Sequence, residues 1–306
     1  MVGIVQRILA PNASPMTLEG TNSYLVFGGD GLAIAIDPGP PDEMHCDAIV
    51  AAARLRGATI GAIAVTHGHP DHAPGAAILH EKTNAPVYAH ALATFPHDRV
   101  VGEGDRIVAG DVELGAIDAP GHARDHLVFA LPDDAGLFTG DVVIGRGTVV
   151  IAPPNGDMRA YQATLHKLRD GYGHVATIYG GHGEAIEDVR EKFDEYIAHR
   201  EKREDQILAE LRGGERTIPE LVASIYRDVS PVLWPAAARQ IFAYLLALER
   251  EERVRARTLS RPPSEAESDI LNPDLSRIVD PESAAIAAAE LGFDRRVDAL
   301  DAYVLA

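Results

Sequence analysis

A chain of 306 residues with 46% hydrophobic and 24% charged side chains has the composition of a globular protein with a sizeable core, and its formal net charge of −18 sets it against polyanionic partners at long range. Its one cysteine, Cys46, rules out an internal disulfide and an all-thiolate metal site, so any cation must be held by imidazoles and carboxylates. No stretch near the start suits a signal segment and no run approaches ~18 uninterrupted apolar residues, so the sequence predicts a cytoplasmic protein with no membrane partner.

In chain order, NSYLVF (22–27) and LAIAIDPG (32–39) read as extended runs joined by Gly-Gly-Asp-Gly, a hairpin signal. DEMHCDAIVAAARLRG has helical spacing and stops at Gly57. IGAIAVT is then an apolar strand leading to His67, and PGAAILHEKTN a short helix. PVYAH, RIVAG, VELGAIDAP, HLVFALP, GLFTGDVV and VATIYGG supply further strands, mostly apolar on both sides, as expected between layers. Around residue 187 the texture changes: EDVREKFDEYIAHREKREDQILAELRGG is charged and helical. TIPELVASIYRD follows, capped by Thr217 ahead of Glu220, and then WPAAARQIFAYLLALEREERV. These helices resemble a winged-helix-like unit. RTLSRPPSEAESDILNPDLSR reads as a linker or surface tail, and DPESAAIAAAELG as a last helix. The expected division is 1–199 catalytic, 200–257 winged-helix-like, and 258–306 a C-terminal extension.

The chemistry concentrates in AVTHGHPDHAPG (64–75). His67 and His69 sit two apart past a strand end, where alternate side chains point the same way, while Asp71 and His72 lie on the turn into the next helix. Such an arrangement suits two neighbouring cations. His122 after Pro120–Gly121, Asp141 behind a glycine at a strand end, and His182 in a Gly-rich turn are further loop-tip residues beside apolar strands. His126 either orients a ligand or plays an ordinary core role. His45, His80, His90, His97, His166, His174 and His199 read as surface or packing residues.

His67, His69, Asp71 and His72 match the H-x-H-x-D-H signature of the metallo-beta-lactamase superfamily, which the chain resembles over roughly residues 16–185. The resemblance implies an α/β fold, a four-layer αββα sandwich with a dinuclear site at one edge, here followed by the small winged-helix-like helical domain. It also implies two Zn2+ per chain, with Mn2+ or Fe as substitutes. One ion would take His67, His69 and His122, the other Asp71, His72 and His182, and Asp141 would bridge them. Two zinc ions ~3.5–4 Å apart can share a water and lower its pKa toward ~7, giving hydroxide to attack an ester, thioester, lactone or lactam, or phosphodiester. Asp71 would orient that hydroxide or accept its proton.

GTNSYLV, GHARDH, GDVVIGRGT, YGGHG and YIAHREKREDQIL are similar to the beta-lactamase-like protein 2 group, which includes a single-strand endoribonuclease. Single-stranded RNA is therefore one partner to weigh. The charge favours a small-molecule substrate instead, and a homo-oligomer is compatible with the sequence. The third helix, Pro235 to Glu249, has only Arg239 as a cation, so a structural or active-site-wall role is favoured over DNA recognition. RVRARTLSR (253–261), the one concentrated basic stretch, reads as a solvated helix end or a phosphate-contacting patch. Competing readings are a glyoxalase-II-type thioesterase, whose basic C-terminal segment is not evident, a lactonase or beta-lactamase, and a mononuclear iron persulfide dioxygenase. Flavodiiron oxygen reductases place Glu where this chain has His69. A non-enzymatic regulator on a degenerate fold is disfavoured by the complete ligand set. GTN (20–22) and DPGPPDE (37–43) flank the mouth in the family pattern, but turn chemistry accounts for them equally well, Asp37 included.

Overall fold

The computed structural model describes residues 4–274, 288 and 300–306; the helix expected over 280–292 lies outside the described residues but for Ala288. The chain forms two compact units, one from Met1–Val149 and Thr164–Asp194, the other from Val150–Ala163 and Glu195–Ala306.

The first unit begins with β1 (Ile4–Leu9), β2 (Asn22–Phe27), β3 (Leu32–Ile36), α1 (Glu43–Leu55), β4 (Thr59–Ala64), α2 (Gly75–Thr83), β5 (Val87–Ala89) and β6 (Arg99–Val100). These strands form one sheet in sequential order, antiparallel through β1–β2–β3 and parallel from β3 to β6. β7 (Arg106–Ala109), β8 (Val112–Asp118), β9 (Leu127–Ala130), β10 (Leu137–Gly140) and β11 (Ile178–Gly180) form the second, in the order β11-β10-β9-β8-β7. Only the β10–β11 pair in it is parallel.

The two-residue period of β2 decides which core each side chain enters. Leu25 and Phe27 pack with Ile49 of α1, Ile63 and Leu79 of α2. Tyr24 and Val26 pack with Ile34, Ile36, Leu114, Phe129 and Phe138, joining the two sheets. Burial on both faces explains why these strands read as unbroken apolar runs. Between β10 and β11 comes α3 (Met158–Tyr172), tied to the end of β8 by Thr164 Oγ1 donating to Pro120 O (2.7 Å) and Lys167 Nζ to Asp118 O (2.9 Å). Helix layers thus flank paired sheets, the αββα arrangement. The chain runs past the C-terminal ends of β3, β4, β8, β10 and β11 into the loops that carry the candidate ligands.

α4 (Val189–Arg212) contributes to the second unit from Glu195 onward. β12 (Arg216–Thr217), α5 (Ile218–Ile225), α6 (Trp234–Arg250), β13 (Val254–Thr258), α7 (Glu265–Leu271) and β14 (Asp301–Leu305) follow. Thr217 and Glu220 cap α5 reciprocally, as the T-x-x-E spacing predicts. By length and composition the span Pro231–Arg250 is apolar enough to cross a bilayer, yet α6 spends that surface in the core: Ile241, Tyr244, Leu245 and Leu248 are buried.

Two sequence expectations change here. The basic run 253–261 is not a helix end: its residues Val254–Thr258 form β13, which pairs with β14, and Arg257 meets Glu215 at 2.6 Å. The stretch read as a linker holds α7, started by a reciprocal Ser264–Glu267 cap that its two prolines obscure in the sequence. β14, from the far end of the chain, is the middle strand of a β12-β14-β13 sheet.

Inside this unit Arg200 is fully buried, its guanidinium 4.9 Å from the Tyr161 ring centre and 3.2 Å from Gln240 Oε1. Burial, with Arg200 and Arg203 nearby, pushes the neighbouring His199 down to about 4 from 6.5. The unfolded chain therefore takes up this proton first as the pH falls. The stability owed to the neutral ring is complete above 6.5 and is lost as pH drops toward 4. A His199→Phe variant is expected to lose less thermal stability than the parent across that interval; parallel calorimetric curves would contradict this.

Candidate metal centre

The parallel β4 ends at Ala64, and the chain leaves the sheet through Val65 and Thr66 to place His67, Gly68 and His69 in a tight loop before α2. His67 Nε2 and His69 Nδ1 are 3.0 Å apart, and His122 Nε2, from the loop after β8, is 2.9 Å from the same His69 nitrogen. Asp71, His72 and His182, from the loop after β11, form a second cluster, with His182 Nε2 3.2 Å and His72 Nε2 3.4 Å from Asp71 Oδ2. Asp141 stands between them. Its Oδ2 is 3.7 Å from His122 Nε2, while its Oδ1 is 3.5 Å from His72 Nε2 and 3.4 Å from His182 Nε2. All seven side chains singled out from the sequence converge, and within each triad the donor atoms lie within 4.8 Å of one another.

The donor set fits divalent cations. Nitrogen and oxygen ligands ~2.0–2.1 Å from a tetrahedral zinc stand ~3.3 Å from each other, close to the separations above. His72 Nε2 and Asp141 Oδ1 are buried with no hydrogen-bond partner, an arrangement that costs free energy until something electropositive binds there.

The surrounding hydrogen bonds select the tautomers. Asp37, at the end of β3, receives the Thr66 amide on Oδ1 (2.7 Å) and both the Thr66 hydroxyl (2.7 Å) and His72 Nδ1 (2.8 Å) on Oδ2. With its proton committed to Asp37, the Thr66 hydroxyl accepts from His67 Nδ1 at 3.0 Å. Both imidazoles therefore turn Nε2, and not Nδ1, toward the clusters. His182 donates Nδ1–H to Gly20 O (3.2 Å) and presents its Nε2 in the same way. Behind Asp37, buried His45 meets Ser23 Oγ at 2.8 Å, and that hydroxyl donates to the Asp37 carbonyl.

Several residues thus do more than turn chemistry requires. Asp37 has a left-handed φ of +46°, a strain that its three donors hold in place. In the GTN stretch, Thr21 Oγ1 donates to Asp71 Oδ2 (3.3 Å), and Asn22 Nδ2 donates to Gly180 O (3.0 Å) and Gly183 O (2.8 Å), fastening the His182 loop. His126 stacks on His67 at 4.5 Å and accepts the Asp141 amide on Nε2 (3.1 Å), so it supports the site without facing it. His45 is structural in a more specific sense than packing. Sequence reasoning missed Asp125 altogether: it is buried, and its Oδ2 lies 2.9 Å from where a Cβ on Gly68 would stand.

Charge divides the two clusters. Burial, reinforced by neighbouring imidazoles, holds His67 and His126 well below the ordinary imidazole value, and burial also lowers His69, leaving neutral lone-pair donors. Burial opposes ionisation of Asp71 and Asp141 too, but His72 and His182 outweigh it and hold both carboxyls well below their usual range. In return, against burial, Asp141 and Asp71 raise His182 to about 10 and push His72 upward.

Gly68 carries a direct expectation. A Gly68→Ala side chain would stand 2.9 Å from Asp125 Oδ2 and 3.4 Å from Phe95 Cδ1, so the His67–His69 loop must shift. Zinc affinity should fall by about tenfold with the far-UV dichroism unchanged, as read by competition with a chromophoric chelator. Unaltered affinity would show that the loop can relax.

The layered fold and the H-x-H-x-D-H cage define a class, and comparison with known proteins agrees. The family model of the metallo-beta-lactamase superfamily matches residues 16–182, and that of the beta-lactamase associated winged helix domain matches 217–259. The chain belongs to the metallo-beta-lactamase superfamily, whose members are mostly hydrolytic enzymes. It is 33% identical over 236 residues to a beta-lactamase-like protein 2 homolog of Caenorhabditis elegans, covering 73% of this chain and 77% of the relative. It is 32% identical over 234 residues to an atrochrysone carboxyl ACP thioesterase of Passalora fulva, covering 72% and 68%. In fold it is similar to a metallo-beta-lactamase family protein of Thermus thermophilus, with a TM-score of 0.69 and 20% identity, over 83% of this chain and 95% of the other.

Proposed function

We propose that this chain is a dinuclear zinc hydrolase that cleaves a small-molecule thioester. The observation that carries the metal reading is the Asp141 carboxylate, which offers one oxygen to the His122 side and the other to His72 and His182. His67, His69 and His122 would hold one cation, Asp71, His72 and His182 the other, and Asp141 both. When bound, zinc supplies Lewis acidity at an attacked acyl oxygen and eases the ionisation of water near neutral pH. The chain's own groups do the rest. Asp37 and Gly20 O keep the imidazole Nε2 atoms aimed inward, His126 fixes the Asp141 backbone, and Asp71 is assigned the proton of the attacking water. The thioester substrate is supported by the likeness to the Passalora fulva thioesterase and by a net charge of −18 that disfavours a polyanion.

Elemental analysis of protein purified with zinc, together with rates on thioester, ester, lactone, nitrocefin and single-stranded RNA, tests both parts. Two zinc per chain and preferential thioester turnover are expected. One iron per chain with oxygen consumption would overturn the metal reading, and RNA cleavage faster than thioester cleavage would overturn the substrate.

A further inference from the structure

α1 covers the first sheet with His45, Cys46, Ile49, Ala52 and Ala53, and turns its opposite face to solvent. That outer face is not polar. Leu55 (88% exposed) and Met44 (77%) are the two most exposed large apolar side chains among the described residues. Between them on the same face lie exposed Ala48 and Ala51. The spacing i, i+4, i+7, i+11 places all four within about 60° of arc over about 16 Å of helix, the pattern of a helix-pairing seam. Isolated exposed leucines need no explanation, but an aligned apolar row along a surface helix does.

The charges beside the seam say what fits it. Glu43 and Asp47 stand near the start of α1 and Arg54 near its end, on one flank. Lys82 of α2 serves both acids, at 3.2 Å and 2.8 Å, so one positive group meets two negative ones. The Arg54 guanidinium makes no ion pair among the described residues. Laid parallel about a two-fold axis, the two copies would carry this charged flank on opposite sides of the seam, and Arg54 would face no carboxylate of the other α1. Laid antiparallel about a two-fold axis, Met44 meets Leu55 of the other copy, the two alanines meet and allow close approach, and the Glu43–Asp47 end faces the unpaired Arg54. The opposed helix dipoles favour the same orientation.

We infer that α1 is a self-association surface on which a second copy of this chain packs antiparallel through Met44, Ala48, Ala51 and Leu55. The seam is smaller than a standard interface, so the dimer is weak, with a Kd on the order of micromolar. The inference is independent of the metal assignment.

Sedimentation velocity on the full chain over a concentration series reads it directly. The parent should pass from monomer to dimer, and Leu55→Glu should raise the Kd by at least about tenfold. Asp47→Arg and Arg54→Asp should each weaken the dimer by about threefold or more, and the double reversal should restore it. Circular dichroism and zinc content, both expected to be unchanged, show that the variants fold. A parent that stays monomeric at hundreds of micromolar, a dimer indifferent to Leu55→Glu, or a double reversal no better than the singles would each overturn the inference.

Discussion

An Asp71→Ala variant is expected to fold, to carry about one divalent cation fewer per chain than the parent, and to lose at least ~10³-fold in hydrolysis. The reasoning starts from the neighbours. Asp71 Oδ2 is the point on which His182 Nε2 (3.2 Å), His72 Nε2 (3.4 Å) and Thr21 Oγ1 (3.3 Å) converge, and it is the carboxylate of the second triad that Asp141 does not replace. Without it, two imidazoles and half a shared carboxylate remain, too few strong donors to hold zinc against water. The first triad, His67, His69 and His122, contains no atom of Asp71 and should keep its cation. Elemental analysis beside a thioester rate separates the outcomes. Loss of both ions would mean that the triads bind as a unit, and full activity would remove Asp71 from the chemistry.

What the sequence discloses and what it hides divide along a physical line. His67, His69, Asp71 and His72 are legible because four ligand-type residues in six positions have no packing reason to cluster, and β4 delivers them at its end. β2 and β3 are legible through their hairpin turn, and α5 through its T-x-x-E cap. Asp37 is not, since an aspartate before a proline after a strand is ordinary turn chemistry. Only its convergence on Thr66 and His72, 29 and 35 positions away, distinguishes it. Asp125 is invisible for the same reason: its contact with Gly68 depends on how two loops meet. The basic run 253–261 misleads because strand and helix ends share a composition, and its partner strand starts more than 40 residues later, at Asp301.

Asp37 is also where the second large effect is expected. One carboxylate accepts hydrogen bonds from three donors, and through them it orients a ligand in each triad: His72 directly and His67 through the Thr66 hydroxyl. Alanine there would add backbone strain, because φ is +46°, whereas asparagine tolerates the left-handed region and isolates the polar effect. Asparagine has one acceptor atom where the site needs two. Its amide NH2 must face either the Thr66 amide or the paired Thr66 hydroxyl and His72 Nδ1–H, leaving buried donors opposed to a donor. Asp37→Asn should therefore cost about 2–4 kcal/mol in the metal-free fold and lower zinc affinity about 10–100-fold. Thermal unfolding with and without chelator measures the first, and competition with a chromophoric chelator the second. If Asp37 merely braces the turn, stability will fall while the affinity of the folded protein stays put. If it orients His67 and His72 as the hydrogen bonds indicate, both cations will bind more weakly, because the two triads draw one imidazole each from the same carboxylate.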